Sequence, residues 1–198
     1  FENAVTVANI QTDPPNQKTG VLYGYANGFG YIQPSTMTPG YGYWIKLLSD
    51  ADIILPEALA KGGKDVDYFA EDWGRIIVTD ATGRNYTLYS VKGEVDLDFY
   101  EMPPLPPAGM FDIRYSSGKI AEDLNSAVKT IEMSGVTYPL IVKVEGMDIR
   151  LMDETGKNVN VNLRAGEDVI ISDATIQKLM VSVELIPAKY SLEQNYPN

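Results

Sequence analysis

Apolar and polar residues alternate along most of this chain with a period of two. Tyr138, Leu140, Val142 and Val144 fall on one face of such a segment, as do Val159, Val161 and Leu163, and Leu179, Val181, Val183 and Leu185. A period of two is that of a strand with one buried face. Strands are therefore expected at 75–79, 85–91, 128–133, 138–145, 148–152, 158–163, 168–172 and 178–185. Asp80-Ala81-Thr82-Gly83 and Asp153-Glu154-Thr155-Gly156 are the turns between neighbouring strands. Short strands at this spacing predict an all-β fold, an antiparallel β-sandwich of Greek-key or immunoglobulin-like type. No long helical period is visible, and Ile120 to Asn125 predicts a single helical turn. Phe111, Ile113 and Tyr115 alternate with Asp112 and Arg114, which predicts a half-buried strand. Just before them, Pro103-Pro104-Leu105-Pro106-Pro107 cannot lie in a central strand or a helix. It predicts a stiff polyproline-like crossover between two sheets, in preference to a ligand for an aromatic-groove domain.

The first third is patterned differently. Phe1 to Ile10 fits either a strand or a short helix. Asp13-Pro14-Pro15-Asn16 is a turn or extended connector. Val21 to Tyr25 and Phe29 to Gln33 flank Asn27-Gly28, a hairpin signal in which both turn residues are expected at positive φ. Thr38-Pro39-Gly40 predicts a turn with Pro at the second and Gly at the third position. A strand then follows with Tyr41, Tyr43, Ile45 and Leu47 on one face, and Asp52 to Leu55 is another. Lys61-Gly62-Gly63-Lys64 is small, polar and the natural boundary. The expected organisation is a smaller aromatic- and Gly-rich β unit (1–61), a β-sandwich (62–187) and a linker (188–198).

Composition narrows the chemistry. The 198 residues carry a formal charge of −11 and include no cysteine and no histidine. Disulfides, thiolate nucleophiles, imidazole ligands and Ser-His-Asp or Cys-His catalysis are thereby excluded within this sequence. A polyanion such as nucleic acid would be repelled, and no Lys/Arg cluster reverses this locally. No run is long and apolar enough for a transmembrane helix. Carboxylate pairs occur at Asp65/Asp67, Glu71/Asp72, Glu94/Asp96/Asp98 and Asp153/Glu154. Two carboxylates suffice for glycoside hydrolysis, but loops of acidic proteins carry such pairs by default, so no catalytic residue is assigned. Calcium, which needs clustered loop oxygens, is the one cofactor these residues suggest, at Asp65, Asp67, Glu94, Asp96 and Asp98. Between residues 23 and 44 the chain concentrates Tyr23, Tyr25, Phe29, Tyr31, Tyr41, Tyr43 and Trp44. Such rings can stack on sugars, the basis of an alternative carbohydrate-binding reading. They can equally be the core of a small sheet, with glycines making room.

The last stretch, Tyr190-Ser191-Leu192-Glu193-Gln194-Asn195-Tyr196-Pro197-Asn198, resembles the start of the C-terminal sorting domain of type IX secretion cargo. The segments 23–31, 37–46 and 100–115 resemble β-rich modules that precede such a domain. The resemblance implies a non-catalytic accessory domain, not an enzyme, in a secreted or cell-surface protein. Its partners would be upstream domains of the same polypeptide and, through a sorting domain beyond Asn198, the secretion machinery. A signal peptide is then expected upstream of Phe1.

Overall fold

The computed structural model describes residues 1–56 and 66–183. The expected boundary at 61–64, Asp65, the end of the strand expected at 178–185 and the 188–198 tail lie outside the described residues. Where the sequence alternates, the chain forms strands, and the fold is all-β.

The first unit contains β1 (Val5–Thr6), β2 (Gln11–Asp13), β3 (Lys18–Ala26), β4 (Gly30–Ile32), β5 (Thr36–Met37), β6 (Tyr43–Leu47) and β7 (Asp52–Ile54). β3 is the centre of a three-stranded antiparallel sheet between β4 and β6, while β1 pairs with β5 and β2 with β7. Phe1 to Ile10, open in sequence between strand and helix, is both: β1 runs into a 3-10 turn at Val7–Asn9. The Asn27-Gly28 hairpin forms, but with a different turn. The Phe29 amide donates to the Ala26 carbonyl at 2.9 Å, and Gly28 sits at φ 82° as the third turn residue. Asn27 is not at positive φ, so only glycine takes the left-handed conformation. Tyr41 precedes its strand instead of joining it, because Gly40 at φ 86° completes the Pro39-Gly40 turn.

The second segment contains β8 (Gly74–Thr79), β9 (Asn85–Ser90), β10 (Asp112–Tyr115), β11 (Ala121–Glu122), β12 (Lys129–Ser134), β13 (Leu140–Glu145), β14 (Ile149–Asp153), β15 (Asn160–Leu163), β16 (Asp168–Ile171) and β17 (Lys178–Ser182). They make two five-stranded sheets, ordered β11-β9-β8-β13-β16 and β10-β12-β17-β14-β15. Every pairing is antiparallel except β11 on β9. The two sheets enclose one core. Ile76, Val78, Leu88, Leu140, Val142 and Val144 of the first sheet are fully buried with Ile113, Ile131, Leu151, Leu179 and Val181 of the second. The helical turn expected at 120–125 is instead the strand β11 followed by a turn. The Tyr89 and Val91 amides donate to the Ile120 and Glu122 carbonyls, and this edge pairing replaces a local helix.

Two hairpin turns share one design. Asp80 accepts hydrogen bonds from the Thr82 amide (2.9 Å) and hydroxyl (2.7 Å), and Asp153 accepts the corresponding pair from Thr155. Both aspartates are buried, and each carboxylate closes its own turn. Asp80 also holds Arg84 and the Thr137 amide, tying the β8–β9 turn to the approach to β13.

The proline stretch does cross between the sheets, leading from β9 through a 3-10 turn at Leu97–Tyr100 to β10. The strand it delivers is buried on both faces, not half-buried: Asp112 and Arg114 are as inaccessible as their apolar neighbours. The first unit and the proline stretch cover the face that sequence alternation assigned to solvent.

Candidate functional site

The aromatic residues of the first unit are sorted by strand register. Tyr25 stands opposite Tyr31 across β3 and β4, and Tyr23 opposite Trp44 across β3 and β6. Directly paired residues share a face, so these four rings lie on one side of the small sheet. Tyr43, opposite Gly24, lies on the other side. An added Cβ at Gly24 would come within 3.2 Å of the Tyr43 ring, so this glycine leaves the space that ring occupies.

On the shared face the rings meet edge to face. Tyr31 is 5.5 Å from Tyr25 at 81°, 5.2 Å from Trp44 at 88° and 6.3 Å from Tyr23 at 75°. These are favourable aromatic geometries, but they are not a flat platform around Tyr31. Tyr23 and Tyr31 are only 1% and 5% exposed and belong to the sandwich core. Burial pushes both phenols above the ordinary tyrosine range. The Tyr23 and Tyr25 hydroxyls are buried without a hydrogen-bond partner among the described residues.

Beneath Tyr31 lies a buried ion pair. Arg114 donates through Nε to Asp112 Oδ2 at 2.6 Å and through Nη2 to Asp112 Oδ1 at 2.7 Å. Its Nη1 donates to the Pro103 carbonyl at 2.8 Å. The guanidinium lies 5.9 Å from the centre of the Tyr31 ring, and the Tyr31 hydroxyl donates to the Pro104 carbonyl at 2.8 Å. A buried ion pair with this bidentate geometry and a third acceptor is largely satisfied internally, so it acts as structure and not as an open reactive centre.

The surface beside this cluster forms a groove of about 560 Å³. One wall is Tyr25, Tyr31, Tyr41 and Trp44 with Gly40 and Gly42; the other is Pro104 to Pro107. Tyr41 is 66% exposed and Trp44 40% exposed. Of the residues singled out in sequence, Tyr25, Tyr31, Tyr41 and Trp44 are thus brought together at the groove, and Tyr23 sits in the core behind them. Tyr43, with Tyr41, borders a separate apolar hollow on the opposite face, and Phe29 projects from its turn. The prolines were legible as a bridge but not as a wall of this groove, because nothing local in the sequence places residue 104 against residue 31.

Of the carboxylates suggested for calcium, Asp67, Glu94, Asp96 and Asp98 lie among the described residues. Asp67 caps its own turn through the Phe69 amide, and Asp96 caps the 3-10 turn through the Asp98 amide. Asp98 takes the Lys119 ammonium at 2.8 Å, which holds its carboxyl below the usual range, and Glu94 is exposed. Among the described residues no three acidic side chains group in a way that could hold a metal ion. No described helix is long and apolar enough to cross a membrane.

Comparison with known proteins found no match: no family model, no curated protein and no solved structure aligns with this chain.

Proposed function

We propose that this chain is a non-catalytic accessory module of a larger exported protein, spacing upstream domains from a type IX sorting signal. The observation that carries the reading is the way the first unit is fixed to the sandwich. Tyr31 bonds Pro104, Lys46 bonds the Asp98 carbonyl at 2.7 Å and Glu101 at 2.5 Å, and Val21, Tyr23 and Tyr31 enter the sandwich core. A chain entering at the first unit therefore meets a stiff body and not a hinge, which suits a spacer. The Tyr190–Asn198 resemblance supports the destination: a secreted or cell-surface protein whose partners are its own upstream domains and the secretion machinery. The acidic surface fits this, since it disfavours nucleic acid.

The test is a fusion with a leader peptide and a reporter enzyme before Phe1 and a type IX sorting domain after Asn198, expressed in a bacterium that has this pathway. The reporter should appear on the cell surface with its turnover unchanged. Periplasmic retention of the complete fusion, or hydrolytic activity of the 198-residue chain alone on glycoside or peptide substrates, would overturn the reading.

A further inference from the structure

We infer that the groove between the aromatic wall and the proline wall binds a short neutral saccharide. This goes beyond the spacer reading and does not rest on it. Its volume, about 560 Å³, falls in the range of roughly 300–1,000 Å³ usual for small-ligand sites.

The chemistry of the walls selects the ligand. None of the described residues that line the groove is charged, on a protein whose formal charge is −11. Among the described lining residues nothing compensates a charged ligand, and the net field opposes an anionic one. Trp44 and Tyr41 present exposed rings to ligand C–H faces. The opposite wall presents acceptors: Pro104, Pro106 and Pro107 have no N–H, and the Leu105 and Pro106 carbonyls accept no hydrogen bond from the described residues. A wall of acceptors needs a ligand that donates. Sugar hydroxyls donate, whereas a proline-rich peptide has few N–H groups to offer, so the saccharide is favoured over the peptide that aromatic grooves otherwise take.

The groove is held in shape before any ligand arrives. Tyr41 follows the Pro39-Gly40 turn, and the Thr38 amide donates to the Tyr43 hydroxyl at 2.6 Å across its base. The facing wall is fixed by the Tyr31–Pro104 and Arg114–Pro103 bonds. Little ordering is then required on binding.

The experiment titrates the full chain with cellohexaose, laminarihexaose, xylohexaose and mannohexaose to millimolar concentration, with oligogalacturonate and decaproline as contrasts. Tryptophan emission and calorimetry report binding. The sequence has two tryptophans, and since Trp73 is buried in the core, a spectral change reports Trp44. At least one neutral hexasaccharide should bind with a shift in emission, and Tyr41→Ala should weaken it about tenfold, equivalent to about 1.4 kcal/mol. Because Tyr41 is largely exposed, that variant should keep its melting temperature, and Trp44→Phe provides a second, shape-retaining variant. No response to any neutral hexasaccharide overturns the inference, as does binding of decaproline or oligogalacturonate alone, or saccharide binding that Tyr41→Ala leaves unchanged.

Discussion

Asp80 shows how one residue couples turn, sheet and solvent. Burial alone would raise its carboxyl, but hydrogen bonds from Thr82, Arg84 and the Thr137 amide outweigh that and bring it down to about 2. A carboxyl depressed in the folded state stabilises above its unfolded value of 3.8 and loses that contribution as pH falls through its folded value. Asp153 is shifted in the same direction by Thr155 and the Val159 amide. Unfolding free energy should therefore fall between about pH 4 and about pH 2, and the fall should be shallower in Asp80→Asn, whose side chain does not titrate. Denaturant titrations across that pH range check this; parallel curves for the two proteins would remove Asp80 as a cause. At neutral pH, Asp80→Ala should cost about 3 kcal/mol, because it strands the Arg84 guanidinium and the Thr82 and Thr137 amides.

At the scale of elements, two glycines of one hairpin separate conformation from contact. Gly28 and Gly30 both sit in the left-handed region, at φ 82° and 83°. A Cβ on Gly28 would meet nothing, while one on Gly30 would lie 2.5 Å from the Phe111 carbonyl oxygen. Gly28→Ala should thus cost only the backbone strain, about 1–2 kcal/mol. Gly30→Ala adds a backbone clash at the seam between β4 and the sandwich and should cost more than about 3 kcal/mol. Equal losses in denaturant unfolding would mean that the close approach of Gly30 to Phe111 carries no stability.

The same seam explains what the sequence could and could not disclose. β13 is legible because one face meets core and the other meets water, as Leu140, Val142 and Val144 against Ile141 and Lys143 show. β10 reads as half-buried in the sequence because Asp112 and Arg114 bury their charges against each other and under residues more than seventy positions earlier, which leaves no local trace. β11 does not read as a strand in the sequence because its pairing partner, β9, lies in a separate earlier segment of the chain, with Ala121 opposite Tyr89. The aromatic segment was legible as a concentration of rings. Which of them reach the groove was decided by register, which puts Tyr25 opposite Tyr31 and Trp44 opposite Tyr23.

For the molecule as a whole, the deciding quantity is how much core the first unit has of its own. Its separate cluster consists of Val5, Val7, Ile10, Leu22 and Met37, a small set for an independent domain. Its remaining buried apolar side chains, Val21, Tyr23 and Tyr31, belong to the sandwich cluster with Phe111, Ile113 and Tyr115. Losing the first unit would expose that apolar surface and uncover the Arg114–Asp112 pair, so neither part can open without destabilising the other. The chain should unfold in one transition, with calorimetric and van't Hoff enthalpies in agreement. Single-tryptophan variants make this local: Trp73→Phe leaves Trp44 to report the first unit, and Trp44→Phe leaves Trp73 to report the sandwich. The two probes should share one denaturation midpoint. An earlier midpoint for the Trp44 probe would show a first unit that melts on its own, and the stiff-spacer reading would lose its physical basis.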